Sequence, residues 1–319
     1  MKQAGFLVLA AFLSGCVTPS VGDTQVRIFR DGLSVSGISS GGYAAGLMHL
    51  AHSDRVDGVG IIAGGPWNCA LGNLGRALGP CIKGEGLDVA ALTAAARDAA
   101  AAGDIAALEH LTGDRVWLFH GERDTTVASA VVMAAMDFYN AFSAGGAYTG
   151  GVPAAHGFPT LDTGVACSEF REPYLQACRY DAAEQILINT VGSVMRAPAE
   201  ALAGDFVELP QAAEAGLAET GVAYVPPICR LRACRVHVTF HGCRQGREFI
   251  GDAFIQGAGF NRWADANALI IVYPQVASSP LNPLGCWDWW GYTGPDYATR
   301  DGKQIQAVMS LIDQLETLP

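Results

Sequence analysis

Apolar positions along this chain fall into short runs punctuated by glycine, and the runs switch between a strand period and a helix period. Val26 and Ile28 alternate with polar residues, Asp31-Gly32 offers a tight turn, and residues 33–36 read as a strand returning from it. Residues 42–51 read as a helix. Residues 56–63 form a β-branched run ending in Gly64-Gly65-Pro66, hence a buried strand and its loop. The alanine-rich stretch 87–111 is divided by Gly103-Asp104 into two helical pieces, the second placing Ile105, Leu108 and Leu111 on one face. Further strands are predicted over 116–119, 235–240 and 269–273, and further helices over 131–142 and 260–267. Residues 143–180, rich in glycine, proline and cysteine, read mostly as loop. From Asp301, the expected N-cap, Ile305, Val308, Met309, Ile312 and Leu315 share a helical face. Strands alternating with helices imply an α/β protein whose mainly parallel sheet is covered on both faces. No repeat or low-complexity linker interrupts it, so residues 16–319 are expected to form one domain.

Composition narrows the partners. Half of the 319 residues are hydrophobic and 16% are charged, enough for a large core and too little charge for a disordered chain. Acidic residues outnumber basic ones 31 to 20, for a net charge of −11, and no basic run occurs. Nucleic acid is therefore excluded as an expected partner, because backbone binding needs clustered positive charge.

Lys2 followed by an apolar run over 5–13 reads as a secretory signal, too short for a membrane span. It ends in Leu13-Ser14-Gly15-Cys16, which resembles a bacterial lipobox. Residues 1–15 are thus expected to be a lipoprotein-type signal and Cys16 a lipid anchor, the chain's sole membrane attachment. An exported protein follows, periplasmic or on the outer membrane, the cell surface or beyond. Eight of the nine cysteines remain, an even number suited to disulfides in an exported chain. The expected pairs are Cys69–Cys81, Cys167–Cys178, Cys229–Cys234 and Cys243–Cys286, the first three closing short local loops. No C-x-x-C spacing occurs, so no metal site is expected.

Gly37-Ile38-Ser39-Ser40-Gly41 matches G-x-S-x-G and lies between a predicted strand and a predicted helix. A serine on such a sharp turn needs a strained backbone and glycine neighbours, and the helix N-terminus beneath it favours developing negative charge. Ser39 is the expected nucleophile, with Ser40 N–H an oxyanion donor. Asp124, just past the strand 116–119, is the expected acid, with Glu122 its rival. His156, in the loop Ala154-Ala155-His156-Gly157-Phe158, is the expected base. His49 and His52 belong to a helix, His110 to a surface helix, His120 to a strand end, and His237 to a strand interior. Ser39, Asp124 and His156 follow the chain order of α/β hydrolases.

The oxyanion strand comes late. An α/β hydrolase ordinarily begins with a strand ending in His-Gly. Here the run 236–240, ending in His241-Gly242-Cys243, and the strand 269–273 come after the base. The simplest reading is a circularly permuted α/β-hydrolase fold, with Cys243 N–H as the second oxyanion donor.

At these residues the chain resembles extracellular and periplasmic poly(3-hydroxybutyrate) depolymerases whose lipase box lies near the N-terminus. The resemblance runs through residues 37–43, 58–66, 155–157, Pro173-Tyr174, 180–183, 241–243, 261–267, 273–275 and 282–292, nearly the whole mature length. It implies the permuted fold, a serine esterase acting on polyester, and Ser39, Asp124 and His156 as nucleophile, acid and base. The family's threonine-rich or fibronectin-like linker and polymer-binding domain have no counterpart here, which points to amorphous polymer or oligomers as substrate.

If Cys243 pairs with Cys286, then Trp287, Trp289 and Trp290 are held near the oxyanion loop, where aromatic rings suit an uncharged aliphatic ester. Trp287 is the first choice, and Tyr43 and Trp67 are weaker ones. The expected mechanism is double displacement through an acyl-enzyme, by a monomer without cofactor. A feruloyl or acetyl esterase acting on polysaccharide, and a lipid-tethered binding protein without catalysis, are the alternatives.

Overall fold

A central strand with parallel neighbours on both edges is covered on both faces, and β1 (Leu33–Ile38) is buried at every position, its two serines included. The computed structural model describes residues 25–192 and 196–319; the expected signal and Cys16 lie outside the described residues. After β1 come α1 (Ser40–Ala51), β2 (Val56–Ile62), α2 (Leu74–Leu78), α3 (Pro80–Lys83), α4 (Val89–Ala102) and β3 (Arg115–Phe119). α5 (Ser129–Asn140) and β4 (Gly145–Thr149) follow, then the short strands β5 (Phe158–Thr160), β6 (Val165–Ala166) and β7 (Leu175–Ala177). The second half holds α6 (Ala182–Val191), β8 (Asp205–Pro210), β9 (Thr220–Val225), β10 (Arg235–Phe240), α7 (Arg247–Ile250), α8 (Ala253–Gly257), α9 (Phe260–Asn267), β11 (Leu269–Tyr273) and α10 (Lys303–Gln314).

Eight strands form the main sheet in the order β4-β3-β2-β1-β10-β11-β9-β8, and β5, β7 and β6 form a small separate sheet. β1 to β4, β10 and β11 run parallel, while β9 is antiparallel to both β11 and β8. Reading β8 to β11 first and β1 to β4 afterwards restores the chain order of an unpermuted α/β hydrolase. The fold is therefore the circularly permuted α/β hydrolase. The register does the positioning: Gly37 of β1 lies opposite Phe240 of β10, so Ser39 and His241-Gly242 emerge side by side from the same end of the sheet.

Several local expectations need correction. The segment holding Val26 and Ile28 does not fold back on β1. Instead, Arg27 N–H bonds Cys229 O, Phe29 N–H bonds Cys234 O, and Ile28 bridges Cys234 in parallel. β2 and β10 already occupy both edges of β1, leaving nothing for a hairpin to pair with. The second piece of the alanine-rich stretch is only a 3-10 turn, Leu108–Leu111. α10 takes Gly302, not Asp301, as its N-cap. Within 143–180, β4 completes the sheet edge.

The core takes in two polar clusters with partners built in. His237 is fully buried between Ser34 and Ser36 of β1, each hydroxyl 2.8 Å from a ring nitrogen, and burial holds its pKa down to about 3. His49 contacts Asp114 at 3.0 Å and Tyr139 at 3.2 Å. Both histidines are core residues, as their places in a strand and a helix imply.

Candidate active site

Between β1 and α1 the chain reverses within one residue. Ser39 has φ 58° and ψ −122°, a region costly for a residue with a side chain. The flanking glycines make the turn possible. A Cβ on Gly37 would lie 2.2 Å from Gly41 O, and one on Gly41 would lie 2.3 Å from Phe240 O. Ser39 N–H is held by Ile62 O at 2.9 Å, and Ser39 O accepts from Tyr43 N–H at 3.0 Å, so the hydroxyl projects from a turn fixed at both ends.

His156 reaches this hydroxyl from the loop before β5. Its Nε2 is 2.9 Å from Ser39 Oγ and its Nδ1 is 2.7 Å from Asp124 Oδ2. An ionised carboxylate only accepts, so Nδ1–H donates to Asp124 and Nε2 is left to accept the serine proton. The loop is pinned by Ala155 N–H to Cys167 O at 2.9 Å and Phe158 N–H to Tyr174 O at 2.8 Å, with Phe170 edge-on to the imidazole. Asp124 follows β3 and its Oδ1 accepts from the N–H groups of Thr126 and Val127. Burial opposes its charge, but the His156 contact and these two amides outweigh burial and hold the carboxyl below its ordinary 3.8. His120 braces the same loop, its Nε2–H donating to Val127 O at 2.9 Å. Glu122, the rival acid, is solvent-exposed, and its hydrogen-bonded neighbour is the backbone of Val152.

On the other side of Ser39 lies the loop leaving β10. Its Gly242 N–H donates to Gln245 Oε1 at 2.8 Å, and Gln245 Nε2–H donates to Tyr174 O at 3.1 Å. His241 is buried, with Nδ1–H donating to Gly242 O and Nε2 accepting from Val276 N–H; burial holds its pKa down to about 4. Cys243 joins Cys286, and the remaining disulfides are Cys69–Cys81, Cys167–Cys178 and Cys229–Cys234, the pairing expected from the sequence.

Ser39, His156 and Cys243 open into a cleft of about 550 Å³. Its lining is mainly apolar and includes Trp289, Trp290, Phe170 and Tyr174. Among the described residues its lining carries one permanent charge, Arg244, and Glu172 pairs with that at 2.6 Å. Three of the five aromatic residues expected to hold substrate lie elsewhere. Trp287 is 1% exposed and packs on Phe240 and His241 in the core. Tyr43 lies under Trp289 with its hydroxyl donating to Cys81 O, and Trp67 is buried with its indole N–H on Ala298 O at 3.0 Å. Trp289 and Trp290 do face the cleft.

Leucines missed in the sequence rim its mouth. Leu74, Leu78, Leu281 and Leu284 are each about half exposed or more, as is Phe170. Apolar side chains in proline- and asparagine-rich loops, such as Leu281-Asn282-Pro283-Leu284, were the available signal. No cluster of three or more His, Cys, Asp or Glu side chains fit for a metal occurs among the described residues. No helix among them is long and apolar enough to cross a membrane.

No family profile matches the chain. It is 33% identical over 314 residues to a poly(3-hydroxybutyrate) depolymerase of Delftia acidovorans, a match covering 95% of this chain and 63% of that protein. The chain thus spans under two thirds of that relative's length. It is also 33% identical to a polyhydroxybutyrate depolymerase of Talaromyces funiculosus, with 97% of each chain covered. Two solved structures superpose closely. One is a PHB depolymerase from Penicillium funiculosum, with a TM-score of 0.85, 31% identity, and 92% of this chain and 98% of that one covered. The other is a PHB depolymerase (S39A) complexed with an R3HB trimer, with a TM-score of 0.86 and the same identity and coverage.

Proposed function

The chain belongs to the poly(3-hydroxybutyrate) depolymerase family, and from that premise we propose that it is a serine esterase cleaving the ester bonds of poly(3-hydroxybutyrate) or a related short-chain polyhydroxyalkanoate. The observation that carries the reading is the imidazole of His156 held between Ser39 Oγ at 2.9 Å and Asp124 Oδ2 at 2.7 Å. His156 Nε2 takes the serine proton as Ser39 Oγ bonds to the ester carbonyl carbon. The carbonyl oxygen gains negative charge and is received by the N–H groups of Ser40 and Cys243. Collapse breaks the ester C–O bond, and His156 returns the proton to the departing hydroxyl. Water then gives a proton to the same imidazole and adds to the acyl carbon; the bond to Ser39 Oγ breaks, the imidazole returns that proton to Oγ, and the acyl group leaves as a carboxylic acid. Asp124 fixes the tautomer and balances the imidazolium.

An aliphatic polyester presents methyl groups and carbonyls without charge, which suits a cleft walled by Trp289, Trp290, Phe170 and Tyr174. A polysaccharide would bring many hydroxyls. The cleft's buried polar side chains are already committed, Gln245 to Gly242 and Tyr174, and Asn282 to Cys286. The hydrogen-bonded Ser–His–Asp set argues against a purely binding role. Residues 16–319 act as one catalytic domain on amorphous polymer or oligomers, as a monomer. The four disulfides support export, and Leu13-Ser14-Gly15-Cys16 supports a lipid anchor at Cys16.

The test is an opaque suspension of amorphous poly(3-hydroxybutyrate). The wild type clears it and Ser39→Ala does not; ferulate or acetate release from polysaccharide with an unchanged suspension would replace this reading with the second esterase. Mass spectrometry of the N-terminal peptide decides acylation of Cys16, and gel filtration decides the monomer.

A further inference from the structure

Beside the nucleophile stands a second serine whose side chain the reaction does not use. Ser40 is the first residue of α1 and is 2% exposed. A buried hydroxyl costs stability unless it is bonded, and an alanine there would carry no such cost. Its Oγ lies 3.4 Å from Cys243 Sγ and 3.3 Å from Trp287 N. A disulfide sulfur has no hydrogen, so the hydroxyl donates to Cys243 Sγ while accepting from Trp287 N–H.

These two partners sit on either arm of one bridge. Cys243 belongs to the loop leaving β10, and Trp287 directly follows Cys286, to which Cys243 is bonded. One hydroxyl therefore joins the start of α1, the loop after β10 and the loop carrying the cleft tryptophans. The backbones are already close, since a Cβ on Gly41 would meet His241 O at 2.4 Å. That contact fixes β10 against α1; beyond it Arg244 N–H ties the loop to Leu284 O at 2.7 Å, and the Ser40 hydroxyl ties α1 to Cys243 itself.

We propose that the Ser40 hydroxyl is a positioning residue that sets the spacing of the two amide donors, Ser40 N–H and Cys243 N–H, by tying the disulfide to the residue that carries the first donor. The inference rests on the esterase reading and on those two amides receiving the developing oxyanion. A tetrahedral oxygen needs both amides at hydrogen-bond distance at once, whereas the ground-state carbonyl is less demanding. Loss of the hydroxyl therefore lowers turnover more than substrate binding.

The experiment uses the full mature chain, p-nitrophenyl butyrate as a soluble substrate and butylboronic acid as a tetrahedral analogue that adds to Ser39 Oγ. Ser40→Ala should lower kcat about 10- to 100-fold with KM within about twofold, and weaken the boronic acid by a similar factor. Ser40→Thr, which keeps a hydroxyl, should recover most of the loss. If the alanine variant does not fold, the Ser40→Thr and Ser40→Val pair, equal in shape, isolates the hydroxyl and should show the same split. A kcat within twofold of wild type overturns the proposal, as does a fall in kcat with boronic acid affinity unchanged. The esterase reading fails by a different result, Ser39→Ala hydrolysing the ester as fast as wild type.

Discussion

Tyr43 lies flat beneath Trp289, ring centroids 4.5 Å apart and planes 16° from parallel. One wall of the cleft thus rests on α1, the helix that begins directly after Ser39. Tyr43→Ala should raise KM for a soluble hydroxybutyrate oligomer about 3- to 10-fold and destabilise the fold by about 3–5 kcal/mol, the usual cost of emptying an aromatic core site. Trp289→Ala should raise KM comparably. An unchanged KM in both variants would show that this wall does not meet substrate.

Asp124 is valuable for where it holds a proton as much as for its charge. In Asp124→Asn the amide can present its N–H₂ to His156 Nδ1, favouring the tautomer in which Nε2 bears the hydrogen and cannot accept from Ser39. Activity on a soluble ester should drop about 10³- to 10⁴-fold with the fold intact. A variant retaining a tenth of wild-type turnover would remove Asp124 from the reaction.

Two buried histidines set the acid limit of stability. Burial holds His237 down to about 3 and His241 down to about 4, against an ordinary 6.5. Below pH 6.5 the unfolded chain takes up protons that the folded chain refuses, so stability is full above 6.5 and declines from there toward 3–4. At pH 5 the two together should cost about 4 kcal/mol relative to pH 7. Asp124, held below its usual 3.8, adds a further loss only as pH falls through its lowered value. Urea unfolding at pH 7 and pH 5 measures this directly; equal midpoints would mean that these rings are protonated in the native state.

The mouth of the cleft and its floor should separate in experiment. Leu281 is 74% exposed and Leu284 48%, far from the usual fate of leucine unless a surface is to be met. Leu281→Ser with Leu284→Ser should reduce adsorption to a polymer film several-fold while leaving p-nitrophenyl butyrate hydrolysis within about twofold. Equal adsorption by wild type and variant would remove these leucines from polymer contact.

What the sequence reveals divides along a physical line. The Ser39 turn is legible because its geometry tolerates only small flanking residues, and Gly37 and Gly41 supply them. The His241-Gly242 strand end is legible from its β-branched run, and the register that sets it beside Ser39 follows from the parallel order. Which tryptophan faces the cleft is not legible, because an irregular loop has no period. Its path is set by buried Asp288, whose carboxylate accepts from the N–H groups of Trp290, Gly291, Tyr292 and Thr293. β4, Gly145-Gly146-Ala147-Tyr148-Thr149, has weak strand propensity and forms because the edge of β3 is open to it. α6 did carry a signal, Asp181 three residues before Glu184, and the Asp181 side chain caps that helix.

The permutation also imposes a timetable. A ribosome making this chain emits Ser39, Asp124 and His156 well before β10 and Cys243. On the proposed reading, a polypeptide cut short before Cys243 holds a serine and imidazole with only the Ser40 amide to receive the oxyanion, so full esterase power waits for the later strands.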